Sequence, residues 1–118
     1  MIAFYNLSGP PLGGVIFQEK HMLKFAFYVH LEAKSGKEAE VEAMLKSAQP
    51  LAMKEPGTRT WYAFAEAPGH YGIFDTFEDE AARQAHLDGP IAKILMQKAN
   101  ELLAKPPQIH KIQVLASK

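Results

Sequence analysis

The stretch from Gly72 to Pro90, GIFDTFEDEAARQAHLDGP, constrains this chain more than any other. It sets a strand, a helix cap, a short helix and a hard stop end to end. Ile73, Phe74 and Phe77 favour a strand. Thr76 precedes Asp79 by three residues, which places its hydroxyl to accept from the first free amides of a helix carrying an acid in its first turn. Gly89 is expected to close that helix in the left-handed conformation, and Pro90 to open the next one. His86 lies inside this unit and is the most suggestive titratable side chain of the sequence.

The rest of the chain fits around that unit. Leu23 to Ala33 alternates, with Leu23, Phe25, Phe27, Val29 and Leu31 on one face and Lys24, Ala26, Tyr28, His30 and Glu32 on the other, which predicts a strand with one core face. Ser35-Gly36-Lys37-Glu38 matches a capping box. The helix it opens is expected to run to about Lys54, with Val41, Met44, Leu45, Ala48, Leu51 and Ala52 inward and Pro50 kinking it or restarting its last turn. Thr58 to Ala65 and Tyr71 to Phe77 read as a hairpin turned at Pro68-Gly69. A short helix from Asp79 to Asp88 follows, and then a longer one from Pro90 to about Lys105, which turns Ile91, Ile94, Leu95, Leu102 and Leu103 inward. Ile109 to Leu115 is the last strand. The order is β-α-β-β-α-β, an α+β ferredoxin-like arrangement whose helices cover one face of an antiparallel sheet. Apolar residues fall on both sides of the last strand, so a second copy of the chain is expected to cover the open face.

Residues 1–22 stand apart from the domain at 23–118. MIAFYNL, the break SGPPLGG and VIFQEKHM read either as an extension left by cloning or as an arm packed on the domain or a partner. They lack the basic start of a secretory signal.

Composition removes several classes of function. Net charge is zero and the pI is about 7.0, without the basic excess that a nucleic-acid or anionic-membrane partner selects. The absence of cysteine excludes disulfides, zinc–thiolate sites and thiol catalysis, and is compatible with a reducing cytoplasm. No apolar run reaches the roughly 20 residues that span a bilayer. His86 has Ala82 and Arg83 at the preceding helical positions, so it has no partner for a helical metal-ligand pair. No nucleophile elbow, phosphate loop or dinucleotide fingerprint is present.

From the first strand onward the chain resembles the antibiotic biosynthesis monooxygenase-like domains of the dimeric α/β-barrel superfamily. The resemblance rests on Ser35-Gly36-Lys37-Glu38, Glu55-Pro56-Gly57-Thr58, and Ile73-Phe74-Asp75-Thr76-Phe77 followed by Ala85-His86-Leu87, and it covers residues 23–116. It implies a homodimer that works on small molecules. Members include oxygenases of quinols and anthrones that need no cofactor, haem-degrading enzymes and isomerases. The haem-degrading branch carries an asparagine, a tryptophan and a histidine where this chain has Val29 or His30, Phe77 and Met96, so haem chemistry is not expected.

An oxygenase of this type implies a base, an aromatic pocket and donors for a developing oxyanion. Histidine suits the base because its ordinary pKa is about 6.5, and His86 and His30 are the candidates, with Asp75 placed to orient an imidazole. Tyr28, Trp61, Phe74 and Phe77 are the candidate substrate-binding residues. No metal or other cofactor is expected. The rival reading is a non-catalytic small-molecule-binding or stress-associated dimer, in which His86 and Trp61 serve packing; a third is an isomerase on the same scaffold. The facing of Trp61 stays open at this level.

Overall fold

The computed structural model describes residues 24–118. The expectations about residues 1–22, and Leu23 at the start of the first strand, lie outside the described residues. The elements are β1 (Phe25–Glu32), α1 (Glu38–Met53), β2 (Thr58–Ala67), β3 (His70–Phe77), α2 (Glu80–Leu87), α3 (Pro90–Leu102) and β4 (Gln108–Gln113). The strands form one antiparallel sheet in the order β2-β3-β1-β4, which is the ferredoxin-like arrangement.

Alternation in β1 decides which side is core. Phe27, Val29 and Leu31 point under the helices together with Tyr71, Ile73 and Phe77 of β3, and all six are buried. The stripe of α1 packs on them through Val41, Met44 and Leu45, while Ala48 and Ala52 meet Ile91 of α3. Pro50 is held within the last turn of α1. The hairpin turn uses Gly69 at φ +78°, a left-handed conformation that glycine adopts without strain.

Several local expectations are corrected. Thr76 is no helix cap, because β3 continues through Phe77 and the Thr76 hydroxyl pairs with that of Thr60 at 2.6 Å. Asp79 is the cap instead, accepting from the Ala82 N–H at 2.8 Å. Gly89 is extended at φ −90° and caps the start of α3, with Pro90 in that helix's first turn. Its small size matters there, since a Cβ would approach the carbonyls of Ala85 and His86 to 3.3 Å. The capping box is only half formed. Glu38 is the first residue of α1 rather than its third, so its carboxylate accepts from the Gly36 N–H at 3.0 Å while Ser35 caps nothing. α3 stops at Leu102, and Leu103 leaves it to bridge Ala33. β4 lies two residues earlier at its end than its apolar pattern implied, because pairing with β1 ends where Gln113 meets Phe25.

Candidate functional site

The sequence candidates separate onto the two faces of the sheet. His86, Asp75, Trp61 and Phe77 lie on the helix-covered side, and Tyr28, His30 and Phe74 on the open side. Register fixes this division, since Trp61 pairs with Asp75 and Asp75 with Phe27, whereas Tyr62 pairs with Phe74 and Phe74 with Tyr28. The facing of Trp61 is thereby settled, and it packs beside Ala48, Ala52 and Ile91.

On the covered side, α2 carries His86 down between two carboxylates. Its Nδ1 lies 2.6 Å from Glu55 Oε1 and its Nε2 lies 3.1 Å from Asp75 Oδ2. Phe77 and Phe27 flank the ring, with centroids 5.1 and 6.4 Å away. A neutral imidazole has only one N–H. Both contacts are therefore attractive only when the cluster holds one more proton, on the ring or on a carboxyl. Burial lowers the proton affinity of the imidazole, but its hydrogen bonds to Asp75 and Glu55 more than reverse this, and its pKa lies above the ordinary value. Asp75 is 1% exposed, and burial raises its pKa against the opposing bond to His86. Both shifts favour retention of the proton. Asp75 Oδ1, Glu55 Oε2 and the Trp61 indole N–H are buried without a protein partner.

Beside this cluster, a groove of about 590 Å³ runs between α1 and β2. That is the size of a small-ligand site. Trp61, Ala63, Ala65 and Leu45 give it an apolar wall, and Glu42, Lys46, Gln49 and Tyr71 supply its polar groups. The Tyr71 hydroxyl donates to Glu42 Oε2 at 2.7 Å, and that bond, with the nearby negative charge, pushes the phenol pKa up to about 12. Tyr71 thus stays a donor at any physiological pH. His86 does not line the groove; Trp61 and Asp75 stand between the two.

On the open side, Glu66 accepts from the Tyr28 hydroxyl at 2.5 Å and contacts His30 Nδ1 at 2.7 Å. Tyr28 stacks on Phe64 and His110. His30 is therefore far in topology from Asp75, and the two are not brought together.

Glu42, Lys46, Gln49, Tyr71 and Glu55 were not among the candidate site residues read from the sequence. Glu42 and Lys46 stand four apart on a helix, which reads as a surface pair. Glu55 meets a histidine 31 residues away, a distance at which spacing carries no signal. Among the described residues, no group of three or more histidine, aspartate or glutamate side chains is arranged to hold a metal, and no helix is long and apolar enough to cross a membrane.

Comparison with known proteins places this geometry. A protein of unknown function from Nitrosomonas europaea is 52% identical, with a TM-score of 0.81 over 83% of this chain and 95% of its own. A protein from Mycobacterium tuberculosis, 18% identical, matches over 79% of this chain and 96% of its own with a TM-score of 0.72. A conserved protein from Methanosarcina mazei, 21% identical, matches over 80% and 95% with a TM-score of 0.71. The last two likenesses speak for the fold alone. No curated protein matches. The family model described as antibiotic biosynthesis monooxygenase matches residues 25–98, from the first residue of β1 into α3. The chain therefore belongs to the antibiotic biosynthesis monooxygenase family.

Proposed function

We propose that the chain is a cofactor-independent monooxygenase that oxidises a small aromatic of the quinol or anthrone type with dioxygen. The observation that carries this reading is the groove between α1 and β2, where an indole wall faces the Glu42–Tyr71 pair. An aromatic ring lies against Trp61, and its acidic O–H or C–H is delivered to the Glu42 carboxylate. Lys46 offsets the negative charge that develops, and Tyr71 holds the Glu42 carboxylate in place. The substrate anion passes one electron to dioxygen, and the resulting radical and superoxide combine into a peroxide. Loss of the O–O bond then converts the attacked carbon, the CH₂ of an anthrone or a ring C–H beside the oxygen of a quinol, to a C=O of the quinone product and releases one water, so that one dioxygen is consumed per turnover.

His86 and Asp75 serve this reaction from behind the wall. Both ring nitrogens of His86 are engaged by carboxylates, so it holds Asp75, and through it the Trp61 wall, in place rather than meeting the substrate. Tyr28, His30 and Phe74 belong to the open face, where Tyr62 is 60% exposed and Phe64 is 36% exposed. A second copy of the chain is the proposed cover for these rings, giving a homodimer with one groove per protomer. The lack of cysteine fits a reducing cytoplasm.

The test is dioxygen uptake by metal-free protein on a panel of hydroquinones and anthrones, with Glu42→Gln and His86→Gln run beside the wild type. Uptake above autoxidation that collapses in Glu42→Gln supports the reading. Uptake unchanged in Glu42→Gln removes the base from that residue. If no substrate raises uptake while some stabilise the fold against heat, the groove belongs to a binding protein. Sedimentation at micromolar concentration tests the dimer, and a monomer there overturns that part.

A further inference from the structure

The helix-free face holds a second cluster that the proposed oxygenase reaction does not use. Glu66, near the end of β2, accepts from two groups at once, the Tyr28 hydroxyl at 2.5 Å and His30 Nδ1 at 2.7 Å. A carboxylate oxygen at Nδ1 accepts and cannot donate, which fixes the tautomer of His30. The proton sits on Nδ1, and Nε2 presents its lone pair.

That lone pair faces another imidazole. Nε2 of His30 lies 3.5 Å from Nδ1 of His70, the first residue of β3, and the two rings stack with centroids 5.5 Å apart and planes inclined by 23°. The separation is at the outer limit for a hydrogen bond between ring nitrogens. It matches two ligands of one ion, since two Zn–N bonds of about 2.0–2.1 Å at a tetrahedral angle place their nitrogens about 3.4 Å apart. Joint coordination requires the His70 ring to turn about its terminal torsion, so that a lone pair of Nδ1 rather than an N–H points toward the ion. The carboxylate on the far nitrogen of His30 completes the pattern of a ligating histidine whose other N–H is held by an acid.

We propose that His30 and His70 form a two-imidazole site for a divalent transition ion, with Glu66 as the positioning residue for His30. Water, or a side chain of the second copy proposed to cover this face, fills the remaining coordination positions. Imidazole donors select copper, nickel or zinc over magnesium and calcium, and the affinity order places copper(II) above zinc(II). This site lies on the opposite face of the sheet from the groove, so it stands or falls apart from the oxygenase reading.

The experiment is a titration of the full chain, carrying no added histidine tag, with zinc(II) and copper(II) at pH 7.5. Calorimetry gives the stoichiometry, and the visible d–d band of copper reports nitrogen ligation. The expected result is one saturable ion per chain, copper tighter than zinc, and no response to magnesium. His30→Gln and His70→Gln each abolish the saturable phase, and Glu66→Gln weakens it by about 10-fold or more. His110→Gln, which alters a neighbouring ring on the same face, leaves it intact. Thermal unfolding of each variant establishes that the fold persists. No saturable binding by the wild type overturns the proposal, as does binding that survives in the His30→Gln/His70→Gln double variant, which would assign the ion to the other histidines.

Discussion

Trp61 stands directly opposite Asp75 in the pairing of β2 with β3, on the side of the sheet that the helices cover. This one pairing joins the groove to the buried charge cluster, because Trp61 walls the first and Asp75 anchors the second. The indole N–H is buried and has no protein partner. Trp61→Phe therefore removes a donor that gains nothing from folding, and its stability is expected to stay within about 1 kcal/mol of the wild type. Trp61→Ala removes the wall itself and is expected to cost about 3 kcal/mol. Urea unfolding of both variants measures the contrast. A Trp61→Phe loss as large as that of Trp61→Ala would show that the indole N–H is bonded in the native protein.

The cluster of His86, Asp75 and Glu55 makes stability depend on pH in a defined direction. His86 has a raised pKa in the folded state, so its contribution is complete below the unfolded value of about 6.5 and is lost as pH rises through the folded value. Asp75 is raised as well, through burial first, so it too binds its proton more firmly when folded and acts in the same direction from about pH 4 upward. The wild type is expected to lose stability as pH is raised past 6.5, and His86→Gln to show a flatter profile there. His86→Ala strands the buried Asp75 carboxylate beside the half-buried Glu55 and is expected to cost on the order of 3 kcal/mol at pH 7. Denaturant unfolding across pH 5 to 9 decides it, and parallel profiles for wild type and His86→Gln would remove His86 from the linkage.

Arg83 offers a separate test of how α2 is seated. It is 7% exposed, donates from one terminal nitrogen to the carbonyls of Ala26 and Ile112 at 3.2 Å each, and holds Glu80 through its other two nitrogens at 2.7 Å. Its guanidinium also lies over the rings of Phe25 and Phe27, 5.3 and 5.6 Å from their centroids. A lysine has neither the fork nor the plane for these contacts. Arg83→Lys is expected to cost about 2 kcal/mol and to speed amide exchange in α2 more than in α1. Equal exchange in the two helices would mean that Arg83 seats no particular element.

Strand order and helix count were legible because β1 alternates cleanly and because Gly and Pro punctuate the chain at 56–57, 68–69, 89–90 and 106–107. The inward stripe of α1 could be read for the same reason, and five of its six expected residues are buried, with Leu51 half-buried. The site was less legible. His86 and Asp75 could be paired because they share one short unit of sequence, but Glu55 reaches them only through the turn between α1 and β2. The facing of Trp61 was hidden by the irregularity between Thr58 and Thr60, which shifts the alternation of β2 by one residue. Tyr71 looked like a strand residue and nothing more, since only the packing of α1 brings Glu42 to its hydroxyl. His30 was expected near the catalytic set by its chemistry, and strand parity sends it to the other face.

Gly72 tests the aromatic layer of the open face. A Cβ at this position would collide with the Phe64 ring and lie 3.2 Å from Tyr28, so the ring of Phe64 occupies space that only glycine leaves clear. The same ring stacks on Tyr28 at an interplanar angle of 12°. Gly72→Ala must lift Phe64 away and is expected to destabilise the fold by roughly 1–3 kcal/mol, as overpacking does. The cause is separable by a second substitution. Phe64→Ala empties the space, so the double variant Gly72→Ala/Phe64→Ala is expected to be more stable than the sum of the single losses by about 1 kcal/mol or more. Thermal and urea unfolding of the four proteins gives the coupling. Strict additivity would show that Phe64 does not rest on Gly72 in solution, and that the aromatic layer offered to a second copy of the chain is arranged differently.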